Sequence, residues 1–264
     1  VTSNPVKLVQ ITDTHLFADA NGRLRNVPSL PALEATLAAA ADDIRRADAI
    51  LATGDLVQDD PGGYPTFRRA FTALGRPVLC IPGNHDDAPA LAAALSGAPF
   101  QVGGHVDFPR WRVVLLDSSV PRRAAGLLAE AELTRLDAAL SAAPDRHALI
   151  ALHHHPVAMQ SEWLDSVALE NADDFFQVLD RHPQVHAVVF GHVHQAFEVV
   201  RRRVRILGTP STCAQFLPRA RTFAVDSLPP AWRTLELHAD GRVVTDVAWL
   251  SDADRQRFAT AVGS

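Results

Sequence analysis

Apolar positions fall into two rhythms along this chain. Residues 6–12 form a short β-rich run, and behind Ser29 and Pro31 the residues Leu30, Leu33, Leu37, Ala41 and Ile44 recur at helical spacing. The pair repeats, with strands predicted over 49–53 and 77–81 and helices over 65–74 and 88–95. Further strands are expected over 112–117, 148–152 and 185–190, around helices over 130–142 and 173–179. From Glu198 the alternation stops and strands follow one another, over 198–200, 204–207, 222–225, 234–238 and 242–248, with a hairpin turn at 239–241. This pattern predicts a layered α/β fold in one domain spanning 1–264, whose β-rich part, about 196–250, completes the second sheet.

Composition narrows the partners. The chain has 264 residues, 47% hydrophobic and 21% charged, with formal net charge −5, which suits a globular protein with a sizeable core. The acidic balance weighs against nucleic acid or an anionic membrane as main partner. No basic and apolar leader and no run of about 18 apolar residues is visible, so neither a signal peptide nor a membrane span is expected. Cys80 and Cys213 stand too far apart in sequence for a disulfide framework, which points to a reducing compartment, the cytoplasm. Lys7 is the one lysine, so P-loop and Schiff-base chemistry are disfavoured.

Metal-binding side chains gather just beyond predicted strand ends. Asp13 and His15 follow the first strand, Asp55 the second, and Asn84, His85 and Asp86 the third; His153, His154 and His155 follow 148–152, and His192 and His194 follow 185–190. Ligands in open α/β sheets bind outside the carboxyl ends of strands, so the five clusters are expected to converge. Asp13 with His15, and His192 with His194, stand two apart; on extended backbone each pair points one way and grips a single ion. Gly54, Gly83 and Gly191 precede ligand positions, where a missing side chain permits a sharp turn and close approach. Residues 83–86 alone read equally as a plain turn. Imidazole, carboxylate and amide donors without thiolate favour Mn²⁺, Fe²⁺/Fe³⁺ or Zn²⁺ in an open site. Seven donors exceed the needs of one ion and suit two, with Asp55 as the bridging carboxylate.

These blocks, Asp13-Thr14-His15, Gly54-Asp55, Gly83-Asn84-His85-Asp86, His153 and Gly191-His192-Val193-His194, resemble the calcineurin-like metallophosphoesterases. Residues 152–156, 161–165, 209–216 and 232–238 add a likeness to bacterial class III 3',5'-cyclic nucleotide phosphodiesterases. The resemblance implies a four-layer α/β/β/α sandwich of two packed mixed sheets flanked by helices. It assigns Asp13, His15 and His194 to one ion and Asn84, His153 and His192 to the other, with Asp55 shared. The family pattern H-H-x-P places the ligand at His153, with His154 as the alternative.

The activity so implied is hydrolysis of cyclic AMP to 5'-AMP by a metal-bound hydroxide, the cyclic nucleotide being the small-molecule partner. His85 is the expected proton donor to the leaving O3' or a phosphate contact, beside Asn84, with Asp86 or another carboxylate orienting its ring. Trp163 and Phe216 suit either adenine stacking or loop packing. Arg201, Arg202, Arg203 and Arg205 read as solvated arginines at a hairpin tip. Two rival readings are a broader diesterase, acting on 2',3'-cyclic nucleotides, glycerophosphodiesters or nucleic-acid ends, and a non-catalytic scaffold.

Overall fold

A computed structural model describes residues 4–258, so the first three and last six positions of the expected 1–264 domain lie outside the described residues. Two six-stranded mixed sheets organise the chain. In space, the first runs Val243–Trp249, Ala231–Leu237, Val6–Ile11, Ala49–Thr53, Val78–Ile81 and Phe100–Val102. The second runs Phe197–Arg201, Val204–Gly208, Val185–Phe190, His147–Ala151, Trp111–Leu115 and Gly104–Phe108. The four strands from Val6–Ile11 to Phe100–Val102 are mutually parallel, as are those from Val204–Gly208 to Trp111–Leu115.

Period-2 alternation builds the layers. In Val6–Ile11, Val6 and Leu8 point into the space between the sheets, where they meet Trp111, Leu149 and Val189. Val9 and Ile11 point outward, onto Leu33 and Leu37 of the helix Ser29–Ala39. The second sheet does the same against Leu136, Phe175 and Leu179 of the helices Glu130–Ser141 and Ala172–Asp180. Both sheets are thus buried on two faces, and their central strands read as continuous apolar runs. Local chemistry sets helix starts: Pro65 opens Tyr64–Thr72, and the Asp87 carboxylate caps Ala88–Ala94 by accepting from Ala90 N at 2.9 Å.

Several expectations need correction. The β-rich segment from 196 onward does not simply complete the second sheet. Phe197–Arg201 and Val204–Gly208 do so, but Ala231–Leu237 and Val243–Trp249 return to the first sheet, with Val6 opposite Leu237. Alternation marks a strand without naming its neighbour. The strand expected over 222–225 shrinks to Val225–Asp226, paired with Gln215–Phe216, because Phe223 turns away into an aromatic cluster. The helix behind Ser29 is two pieces, Ser29–Ala39 and Ala41–Arg46. The edge strand Gly104–Phe108 went unrecognised, its half-exposed Gly, His and Asp diluting the apolar signal. Arg202 and Arg203 do form a hairpin tip, but Arg201 and Arg202 pair with Asp180 at 2.8 and 3.3 Å, and Arg205 pairs with Glu198 at 2.7 Å. No described helix is long and apolar enough to cross a membrane.

Candidate metal centre

Parallel strands end on one side, and the polar clusters follow those ends to a common rim. Asp13 and His15 leave Val6–Ile11, Asp55 leaves Ala49–Thr53, and Asn84 leaves Val78–Ile81. His153 leaves His147–Ala151, and His192 and His194 leave Val185–Phe190. The backbone there is not extended: φ is 54° at Asp13, 44° at His15, 49° at Asp55, 67° at His192 and 49° at His194. Left-handed backbone at a non-glycine residue stores of order 1 kcal/mol and persists only where surroundings impose it. This overturns the reason expected for the i, i+2 pairs, and only one of them stays together. His194 joins Asp13 and His15, whereas His192 joins His153 and His154, although the backbone is left-handed in both pairs.

The donor atoms lie close together. His194 Nε2 is 3.2 Å from Asp13 Oδ1 and 3.1 Å from His15 Nε2, itself 3.9 Å from Asp55 Oδ2. On the other side, His153 Nε2 is 3.3 Å from Asp55 Oδ2 and 3.3 Å from Asn84 Oδ1. Asp55 therefore stands between the two groups. His154 also neighbours His192, but its Nδ1 is 2.8 Å from Ser118 Oγ and only His153 reaches both Asp55 and Asn84. Glycine is required beside these atoms: a Cβ on Gly191 would collide with Thr12 Oγ1 and Asp13 Oδ2, and one on Gly54 with the His153 ring.

Two observations test whether cations fit. First, three histidines each spend one ring nitrogen on a carbonyl: His153 Nδ1 donates to Thr53 O at 2.8 Å, His194 Nδ1 to Ala214 O at 2.6 Å and His192 Nε2 to Val167 O at 3.1 Å. That fixes the tautomer and leaves the other nitrogen as a lone-pair donor, as metal ligands require. Second, the charge state suits a cation. Burial opposes ionisation of Asp13 and Asp55, but His194 beside the first and His153 beside the second outweigh it, holding both carboxyls below their ordinary 3.8. Burial pushes His15 down to about 3 and His192 well below 6.5, so both imidazoles are neutral. His153 moves up to about 9, where burial opposes the charge and Asp55 prevails. A proton on His153 thus supplies positive charge that a cation would otherwise bring.

Residues 6–196 match the calcineurin-like phosphoesterase family. The chain belongs to that family. It is 41% identical over 249 residues to the 3',5'-cyclic adenosine monophosphate phosphodiesterase CpdA of Escherichia coli, covering 94% of this chain and 90% of the relative. It is 38% identical over 253 residues to CpdA of Vibrio vulnificus, covering 95% and 92%. A dimetal phosphatase from Danio rerio superposes with TM-score 0.64 at 16% identity, covering 94% of this chain and all of that one, a likeness of fold. The phosphoesterase is accordingly a metal-dependent hydrolase of a family with dinuclear centres.

On the solvent side of the phosphoesterase centre lies His85, whose backbone N donates to Asp55 Oδ1 at 2.9 Å. Its ring is oriented by Asp59, with Nδ1 2.9 Å from Asp59 Oδ2, and Gln58 Nε2 also lies 2.9 Å from that nitrogen. Asp86 does not orient the ring. Its carboxylate is turned inward, accepting from Gly83 N at 2.9 Å, Leu56 N at 3.1 Å and Tyr64 Oη at 3.1 Å. Those hydrogen bonds brace the loops that carry Asp55 and Asn84, and burial, then the Asp55 charge, pushes Asp86 up to about 7. Sequence reasoning left Asp59 unnamed. Its signal was another carboxylate four residues past Asp55, and its own left-handed φ of 51° became visible only in the fold. A cavity of about 200 Å³ opens here, lined by His15, Asp55, Asn84 and His85 and, farther out, by Arg25, Trp163, Phe216 and Phe223.

Proposed function

We propose that this phosphoesterase hydrolyses 3',5'-cyclic AMP to 5'-AMP at the rim centre. The observation that carries the reading is near-full-length similarity to proteins named for that activity, at 41% identity in one case. Asp13, His15 and His194 would hold one ion and Asn84, His153 and His192 the other, with Asp55 shared. Imidazole, carboxylate and amide donors without thiolate favour Mn²⁺ or Fe²⁺/Fe³⁺, with Zn²⁺ also accommodated. Two bound divalent cations supply the positive charge and ionised water that attack on a phosphodiester needs.

The chain's own residues perform the rest. Asp59 holds His85 by Nδ1, so Nε2 is the nitrogen left to meet the substrate. In-line displacement loads negative charge on the departing O3', and a proton donated from His85 Nε2 neutralises it. The Asp59 carboxylate fixes the orientation of the ring for that transfer. Asn84 contributes a second polar contact to the phosphate, next to His85 on the same loop. Free, buried Cys80 and Cys213 accord with a reducing cytoplasm.

The test is a side-by-side kcat/KM for 3',5'-cAMP, 2',3'-cAMP and a glycerophosphodiester with Mn²⁺ present. A preference for 3',5'-cAMP is expected, and equal or faster turnover of the others would replace this reading with a broad diesterase.

A further inference from the structure

One cavity joins the catalytic rim to an aromatic wall. Trp163 meets Phe216 edge-on at 5.2 Å and Phe223 at 5.1 Å, and Phe216 meets Phe223 at 5.3 Å, with interplanar angles of 73–76°. Phe216 also lies flat on the His194 ring, 3.9 Å away and 7° from parallel, which ties the wall to the metal side. Two features are not explained by packing alone. The Trp163 Nε1–H is buried without a hydrogen-bond partner, a loss that an acceptor in the cavity would repair. Phe223 is 38% exposed, though large and apolar.

Arg25 covers that ring, with its guanidinium carbon 4.4 Å from the Phe223 centroid. It reaches there from the tip of the small hairpin Arg23–Leu24 and Val27–Pro28. Arg25 and Asn26 both adopt left-handed backbone, with φ of 47° and 70°. Two-residue hairpin turns of this kind favour Asn and Gly, and an arginine there is strained. A planar cation held by strained backbone over an aromatic face is arranged as a stacking surface.

We propose that the outer end of the cavity, walled by Trp163, Phe216 and Phe223 and closed by Arg25, is a subsite for a purine base. This rests on the cyclic-nucleotide reading above and deepens it. The polar end takes the phosphate, so the base extends toward the aromatic end. A two-ring base covers more of that wall than a pyrimidine, and its ring nitrogens offer acceptors to the Trp163 N–H.

Calorimetry on the full chain loaded with Mn²⁺ tests this by comparing 5'-AMP, 5'-CMP and ribose 5-phosphate, which share a phosphate and differ in the base. 5'-AMP is expected to bind at least about 10-fold more tightly than ribose 5-phosphate, with 5'-CMP between them. Trp163→Ala should lower the ratio about 10-fold, and Phe223→Ala and Arg25→Ala about 3- to 5-fold each. The latter two alter exposed side chains, so they remain informative if the tryptophan variant misfolds. Equal binding of 5'-AMP and ribose 5-phosphate, or a ratio that survives Phe223→Ala and Arg25→Ala, would overturn the subsite. Equal weakening of both ligands in every variant would do the same, since it marks a structural role. A 5'-AMP preference without cAMP turnover would sink the hydrolytic reading alone and leave the subsite standing.

Discussion

Histidines gather at both ends of the sheet sandwich, and the two gatherings differ in what surrounds them. Away from the cavity, His147 Nδ1 lies 2.9 Å from His186 Nε2, His147 Nε2 lies 3.1 Å from the Ala239 carbonyl, and both rings pack on Trp111. Both nitrogens of His147 are engaged, and no metal-sized group among the described residues includes either histidine. At the rim, His153, His192 and His194 each spend one nitrogen on a carbonyl, the other nitrogens of His153 and His194 face buried carboxylates, and the backbone is left-handed at five of the candidate ligand positions. A histidine cluster signals a cation site when its second nitrogens are fixed and anions join it. Proximity of rings alone does not suffice.

The comparison can be broken first at Asp55. Asp55→Ala removes the carboxylate that stands between the two groups, so turnover of an aryl phosphodiester should fall by at least about 10³-fold and metal content measured by mass spectrometry should drop. His85→Asn should keep its metal yet slow 3',5'-cAMP hydrolysis by about 10²–10⁴-fold. Asp59→Asn, which loosens the ring without deleting it, should cost about 10- to 100-fold in kcat, again with metal retained. An unchanged rate in Asp59→Asn would return His85 to a bracing role. The other end supplies the control: His147→Ala should change kcat/KM less than about 2-fold while lowering stability in urea by roughly 1 kcal/mol.

The smallest effect sharpens the contrast through pH. Asp107 and Arg112 pair near the His147 end at 2.7 Å, and the Arg112 hydrogen bond holds the Asp107 carboxyl below its ordinary 3.8. A depressed folded pKa contributes stability that is present above the unfolded value and lost as pH falls through the folded one. Asp107→Asn should therefore cost stability at pH 7, with the difference from wild type shrinking as pH falls below 3.8. With Arg112 buried but Asp107 exposed to solvent, the pair should be worth under about 1 kcal/mol, read from urea midpoints along a falling pH series.

Much of the site was legible because its residues follow strand ends in fixed order. The β-rich runs ending before Asp13, Asp55, Asn84, His153 and His192 carry their own signal, and convergence follows from parallel sheets. The pairing of His192 with His153 rather than with His194 was not legible from spacing, since Asp13 and His15 have the same spacing and the same left-handed backbone yet stay in one group. Asp59 was missed because its partner His85 comes from another strand end 26 residues away. The swap of Asp86 for Asp59 has the same cause: neighbours in sequence point oppositely once the loop is folded.

The order of residues alone determined that strands and helices alternate, that ligand-bearing groups sit beyond strand ends, and that cysteine and lysine chemistry play no part in the reading. Each of those follows from local periodicity or residue type. Only the tertiary structure decided which strands share a sheet, which histidine nitrogen faces Asp55, and that Arg25 lies over Phe223. Those outcomes depend on packing and hydrogen bonds between segments far apart in sequence, whose geometry exists only after both sheets have closed on one core.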